Sequence, residues 1–182
     1  GDVDATRVYP NRKQLIRSGI LIETGVVCVA LAGVVGAQSD DAAKKAMVER
    51  GHALVKFGDC NVCHTPWTMT PNGPRPDSTK YLSGHPAGML APAPKLEMPW
   101  LAAANVTFTA WAGPWGISYG ANLTPDSSGL GVWTEDMFIK TVRTGKHMGV
   151  SRDILPPMPW FNVGAMTDDD LKSVYAFLRS IQ

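Results

Sequence analysis

Cysteine is scarce in this chain: three in 182 residues, at Cys28, Cys60 and Cys63. An odd count with one close pair does not suggest a disulfide framework. Charge is scarce as well, at 18% of residues with a formal net charge of +1. No basic stripe is visible, which argues against nucleic acid as a partner. There is no second C-x-x-C and no His-x-x-x-His, so a structural zinc site has nothing to complete it. Internal repeats and low-complexity tails are missing too. What remains is a 45% hydrophobic chain, long enough for one domain with a real core and not comfortably for two.

Long apolar runs are limited to one. Gly19 to Ala37 reads GILIETGVVCVALAGVVGA, and Arg7, Arg12, Lys13 and Arg17 precede it. As a helix it would span about 28 Å, close to the thickness of a bilayer core. Two readings compete. One is a cleaved secretory signal with a small-residue site at Val35-Gly36-Ala37. The other, which is the expectation, is a retained transmembrane helix over residues 19–37. The basic flank then places the N-terminus in the cytoplasm and the rest on the periplasmic side of the cytoplasmic membrane. Glu23 would lie at headgroup level or meet a partner's membrane helix. Cys28 reads as a small apolar residue. The expected division is residues 1–38 for flank and anchor, and 39–182 for the remaining domain.

That domain reads as mainly helical. Asp40 to Phe57 is rich in helix formers and is preceded by Ser39. Thr134 caps a second helix that Gly145 stops, and Thr167 caps a third starting at Asp168. On that third helix Leu171, Val174, Tyr175 and Leu178 share one face. Between the first two helices, residues 65–131 are loop-rich with many prolines. Within them Asn105–Trp111 alternates, and Trp115–Tyr119 could pair with it as a short β-hairpin across Gly113-Pro114.

The chemistry concentrates at Cys60-Asn61-Val62-Cys63-His64. Two thiols at this spacing, followed at once by an imidazole, suit the covalent attachment of one haem c. Cys60 and Cys63 would take its vinyl groups and His64 would bind the iron. The second axial ligand must come from elsewhere. Met158 stands out because Pro156, Pro157 and Pro159 stiffen the chain around it. His147 and Met148 are the alternatives, as is an iron without a second protein ligand. His52 reads as solvated or interhelical and His85 as a turn residue. Trp100, Trp111, Trp115, Trp133 and Trp160 would shield the haem, donate to its carboxylates or simply pack the core. Arg143, Lys146 and Arg152 would pair with those carboxylates or face solvent.

Beyond these residues the chain carries Asn122-Leu-Thr-Pro-Asp126, Gly131-Val-Trp133-Thr-Glu, Arg143-Thr-Gly-Lys-His147, Leu155-Pro-Pro-Met-Pro-Trp160 and Met166-Thr-Asp-Asp-Asp-Leu171. With the Cys60–His64 motif these resemble the class I cytochrome c family over roughly residues 42–182. They look most like the cytochrome domains of membrane-bound alcohol and gluconate dehydrogenases. The resemblance implies an all-α class I cytochrome c fold with crossed terminal helices, here meeting at Gly51 and Tyr175 or Phe177. The loop-rich insertion and the N-terminal transmembrane helix would be added to it. It also implies Met158 as the distal ligand. The chain departs from those subunits in having one CxxCH rather than three.

With both axial positions filled, substrate has no entry to the iron, so electron transfer is expected rather than catalysis. The leading expectation is a membrane-anchored one-electron subunit of a larger respiratory, photosynthetic or dehydrogenase complex, with redox proteins as partners. A freestanding anchored or soluble shuttle is the second. A haem peroxidase or gas sensor with an open site is the third.

Overall fold

The computed structural model describes the backbone of residues 27–90 and 92–182, and side chains from residue 40 onward. Its first helix, α1, runs over Val27–Phe57. Next come a short helical turn α2 (Cys60–His64) and a ribbon of β1 (Trp67–Thr70) with β2 (Gly73–Pro76). A second sheet follows, made of β3 (Ala103–Ala104), β4 (Ala110–Gly113) and β5 (Gly116–Tyr119) in the order β3-β4-β5. The chain closes with α3 (Glu135–Thr144), the short α4 (Trp160–Val163) and α5 (Asp168–Ser180).

Two helix starts follow from single side chains. The Thr134 hydroxyl accepts from the Met137 N–H ahead of α3, and the Thr167 hydroxyl accepts from the Asp170 N–H ahead of α5. Gly145 ends α3 in the left-handed conformation, φ 68°. The helices meet over one apolar cluster: Val55 from α1, Phe138 and Val142 from α3, and Leu171, Val174 and Leu178 from α5, with Leu82 and Leu130 from the loops. Leu82 and Leu171 are fully buried, each worth about 1.5–3 kcal/mol of transfer free energy. Gly51 lets α1 approach α5 closely. A Cβ there would lie 1.9 Å from the Ser173 carbonyl oxygen and 2.8 Å from Phe177 Cβ. On either side His52 stacks on Phe177 and Arg50 bonds Asp170 at 2.9 Å.

The all-α expectation needs correction. Residues 65–131 hold both small antiparallel sheets. In the first, Trp67 pairs with Pro76 and Thr70 with Gly73. Prolines fit there because a two-stranded ribbon leaves outward N–H positions unused. In the second, Ala110 pairs with Tyr119 and Gly113 with Gly116 around a Pro114-Trp115 turn. This is the expected hairpin, but its first strand starts at Ala110 rather than Asn105. The Asn105 side chain instead accepts from the backbone N–H groups of Thr109 and Ala110, which turns the chain ahead of β4.

The transmembrane helix is corrected as well. Among the described residues no helix is long and apolar enough to cross a membrane. Within α1 the apolar part, residues 27–37, covers only about 16 Å before Asp40, Asp41, Lys44 and Lys45 begin, against a bilayer core of about 30 Å. The earlier part of the 19–37 run, Glu23 included, lies outside the described residues, as does the side chain of Cys28.

Candidate functional site

Asp59, with φ 52°, turns the chain out of α1 and into α2. On that turn Cys60 and Cys63 are three residues apart and so share a face. Both are half-buried free thiols. Burial pushes both thiols up from their ordinary value, with Asp59 adding to the rise at Cys60. They are therefore neutral S–H groups at neutral pH.

His64 closes the turn and is buried, 8% exposed. Its Nδ1 lies 2.8 Å from the Ala121 carbonyl oxygen. A carbonyl only accepts, so Nδ1 carries the proton and Nε2 keeps its lone pair. Burial lowers the His64 pKa against the opposing pull of that carbonyl, which favours the neutral imidazole. A neutral ring with a bonded Nδ1–H is the form that ligates a metal.

The surrounding backbone is tied down at several points. The Gly84 N–H donates to the His64 carbonyl at 2.7 Å. The Leu82 N–H donates to the Thr65 hydroxyl at 2.8 Å, and the Trp67 indole N–H donates to the Val62 carbonyl at 2.9 Å. Trp67 also stacks on Phe108 with ring centres 4.6 Å apart. Gly120, just past the end of β5, brings the segment that leads to Ala121 against α2, for a Cβ there would lie 2.2 Å from the Cys63 carbonyl oxygen.

Met158 is half-buried in the segment between α3 and α4. Its carbonyl accepts from the Trp160 N–H at 2.9 Å. The Ser118 hydroxyl of β5 donates to the Pro156 carbonyl at 2.5 Å. One short stretch, Ser118 to Ala121, thus bonds both the histidine turn and the methionine segment.

The other histidines are engaged elsewhere. His85 Nε2 donates to the Met89 carbonyl at 2.6 Å, so its Nδ1 accepts from the Thr109 hydroxyl at 2.8 Å. His147 meets Trp133 edge-on at 5.1 Å, and burial, then Arg152, lowers its pKa. Among the described residues no group of three or more His, Cys, Asp or Glu is placed to hold a metal ion.

The remaining candidates divide. Trp100 is 71% exposed. The Trp111 indole donates to the Phe108 carbonyl, and the Trp160 ring lies where a Cβ on Gly145 would fall. Trp115 differs: its Nε1–H is buried and has no partner among the described residues. The Trp115 ring packs over Gly113, where a Cβ would come within 2.4 Å. Arg143 pairs with Asp168 at 2.6 Å and Lys146 with Asp153 at 2.7 Å. Trp67, Ser118 and Ala121 escape sequence reading. Each acts on or through a backbone carbonyl, and every residue type has one.

A haem can be tested against these observations. The thiol pair and the lone pair on His64 Nε2 fit its attachment and its iron. The orphaned Trp115 N–H fits a carboxylate such as a haem bears. No protein-family model matches the chain. Curated relatives do. The chain is 31% identical over 143 residues to the gluconate 2-dehydrogenase cytochrome c subunit of Pantoea cypripedii, covering 78% of this chain and 24% of that protein. It is 28% identical over 143 residues to the cytochrome c subunit of the quinone-dependent alcohol dehydrogenase of Gluconobacter oxydans, covering 78% and 23%. With the fructose dehydrogenase cytochrome subunit of Gluconobacter japonicus it shares 27% over 139 residues, covering 76% and 22%. The chain is a homologue of dehydrogenase cytochrome c subunits, and haem c is the cofactor this kinship implies. It spans about a quarter of the length of these relatives.

Proposed function

We propose that the chain carries one covalently attached haem c and passes single electrons as part of a dehydrogenase complex, without catalysing a reaction itself. The observation that carries this reading is the His64 turn: two free thiols and an imidazole whose Nδ1–H is bonded to Ala121, leaving Nε2 for iron. Cys60 and Cys63 would hold the haem and His64 and Met158 its iron. When bound, the haem supplies one-electron exchange at a potential that thioether ligation raises. The protein's own residues do the rest. Ala121 fixes the His64 tautomer, the Trp67–Phe108 stack covers the turn, and Trp115 offers its N–H to a haem carboxylate. With His64 and Met158 both on the iron, other ligands would be kept from it.

Kinship with proteins named as dehydrogenase subunits supports a bound subunit over a diffusing shuttle. A net charge of +1 fits this, since a shuttle uses a strong charge patch to steer docking. We place the haem-bearing part outside the cytoplasm, where haem c is attached. Two measurements test the proposal. The intact mass of the purified chain is expected to exceed the polypeptide by one haem that survives acid–acetone extraction. Isolation under mild conditions is expected to bring other redox subunits with it. A chain without bound haem overturns the cofactor reading, and a monodisperse haem protein favours the shuttle.

A further inference from the structure

The segment carrying Met158 has an unusual limitation. Pro156, Pro157 and Pro159 have no N–H, so across residues 156–159 Met158 alone has a backbone donor. Its carbonyl oxygens carry most of the bonding: those of Met158 and Pro159 accept from N–H groups a few residues on, at Trp160 and Asn162, while the Pro156 carbonyl takes its donor from another part of the fold. The Ser118 hydroxyl donates to the Pro156 carbonyl at 2.5 Å. Its other acceptor within reach, the Trp111 carbonyl across the hairpin, lies at 3.4 Å. A hydroxyl has one proton, and the shorter bond takes it.

Ser118 is also well placed to make that bond count. It belongs to β5, fixed by its pairing with Trp111 and its neighbours. Three residues on, Ala121 accepts from His64 Nδ1. Between them the Gly120 N–H donates to the Thr109 carbonyl at 2.7 Å, and the Gly120 carbonyl accepts from the His85 N–H at 2.8 Å. At about 3.4 Å per residue, Ser118 and Ala121 are roughly 10 Å apart along an extended chain. A rigid stretch of that length, bonded to both candidate ligand segments, sets the distance between them.

We propose that Ser118 is a positioning residue: its bond to the Pro156 carbonyl holds the Met158 segment in register with the His64 turn, so that Met158 stays on the iron. The inference rests on the His64/Met158 reading above. Removing the hydroxyl loosens the segment and raises the fraction of time the methionine is off. A ligand that binds the vacated position then gains apparent affinity in proportion.

The test uses the full-length haem-loaded protein as wild type, Ser118→Ala, Ser118→Thr and Met158→Ala. Ser118→Ala is expected to bind added imidazole to the ferric haem about tenfold more tightly, a typical effect of losing one hydrogen bond. Amide exchange in residues 154–163 is expected to quicken while exchange in 60–65 stays as in wild type. Ser118→Thr, which keeps the hydroxyl, restores both. Wild-type exchange in Ser118→Ala overturns the tether. Faster exchange with unchanged imidazole affinity shows a tether that positions no ligand, and overturns the proposal too. If Met158→Ala leaves the far-red methionine–iron absorption band in place, the ligand reading fails. Exchange in Ser118→Ala then decides the tether separately.

Discussion

His64 and Met158 are held by opposite means. His64 is 8% exposed, and bonds from Gly84, Leu82 and Trp67 tie down the turn around it while its own ring bonds Ala121. Met158 is half-buried near Leu155, which is 38% exposed, in a stretch walled by three prolines and tied to the hairpin by one hydroxyl. The histidine side is over-determined, so the loss of any one bond leaves the others to hold it. The methionine side relies on stiffness, a local bond from the Trp160 N–H and one tether to the hairpin. This matches what each atom would be asked to do. Imidazole is the firmer ligand and can be fixed by a rigid, buried turn. A thioether binds iron weakly and stays only if its segment is kept from wandering.

The comparison can be broken outright at the histidine side. Replacing Cys60 and Cys63 together by alanine is expected to abolish covalent haem, read as the disappearance of acid-stable haem from the purified chain. A milder blow falls on Gly120→Ala, whose new Cβ would meet the Cys63 carbonyl oxygen at 2.2 Å. A close backbone contact of this kind costs about 1–3 kcal/mol, expected as a lowered Tm with amide exchange quickened in 60–65 rather than in 154–163. Next comes Trp115→Phe, which removes the unpartnered N–H. If that N–H steadies a haem carboxylate, its loss leaves more negative charge beside the iron and favours the ferric state. The midpoint potential should fall, by an amount equivalent to about 1 kcal/mol. A small effect is expected at Asp170, in the first turn of α5. Arg50 bonds its carboxylate and holds its pKa below the ordinary 3.8. A lowered carboxylate pKa adds stability above the unfolded value, and this is lost as pH falls below 3.8 toward the folded value. Asp170→Asn should therefore lower Tm slightly at neutral pH and make no difference in strong acid.

These two sides are unequally legible in the sequence. Cys60–His64 is a local pattern, so its spacing alone points to its chemistry. The same is true of α3 and α5, whose Thr134 and Thr167 caps and Gly145 stop are single-residue features. Met158 can be singled out by its prolines, but nothing in its neighbourhood names Ser118, about forty residues earlier in the chain. The Ala121 carbonyl is equally anonymous. The β1–β2 ribbon escapes sequence reading because Pro74 and Pro76 read as loop, although an edge strand accommodates them. The all-α expectation fails for that reason, because residues 65–131 spend their backbone groups on two small sheets. The apolar run before residue 38 suggests a membrane span, yet its described part is cut short by the charged residues that begin at Asp40.

The central claim is that the rigid histidine turn and the tethered methionine segment would together hold one iron. Ferric absorption in the far red, compared between wild type and Met158→Ala, tests it most directly. The methionine–iron band is expected in wild type and absent from the variant, whose ferrous form should also bind carbon monoxide without delay. A band that survives in Met158→Ala, or wild-type protein that already binds carbon monoxide freely, would contradict the account.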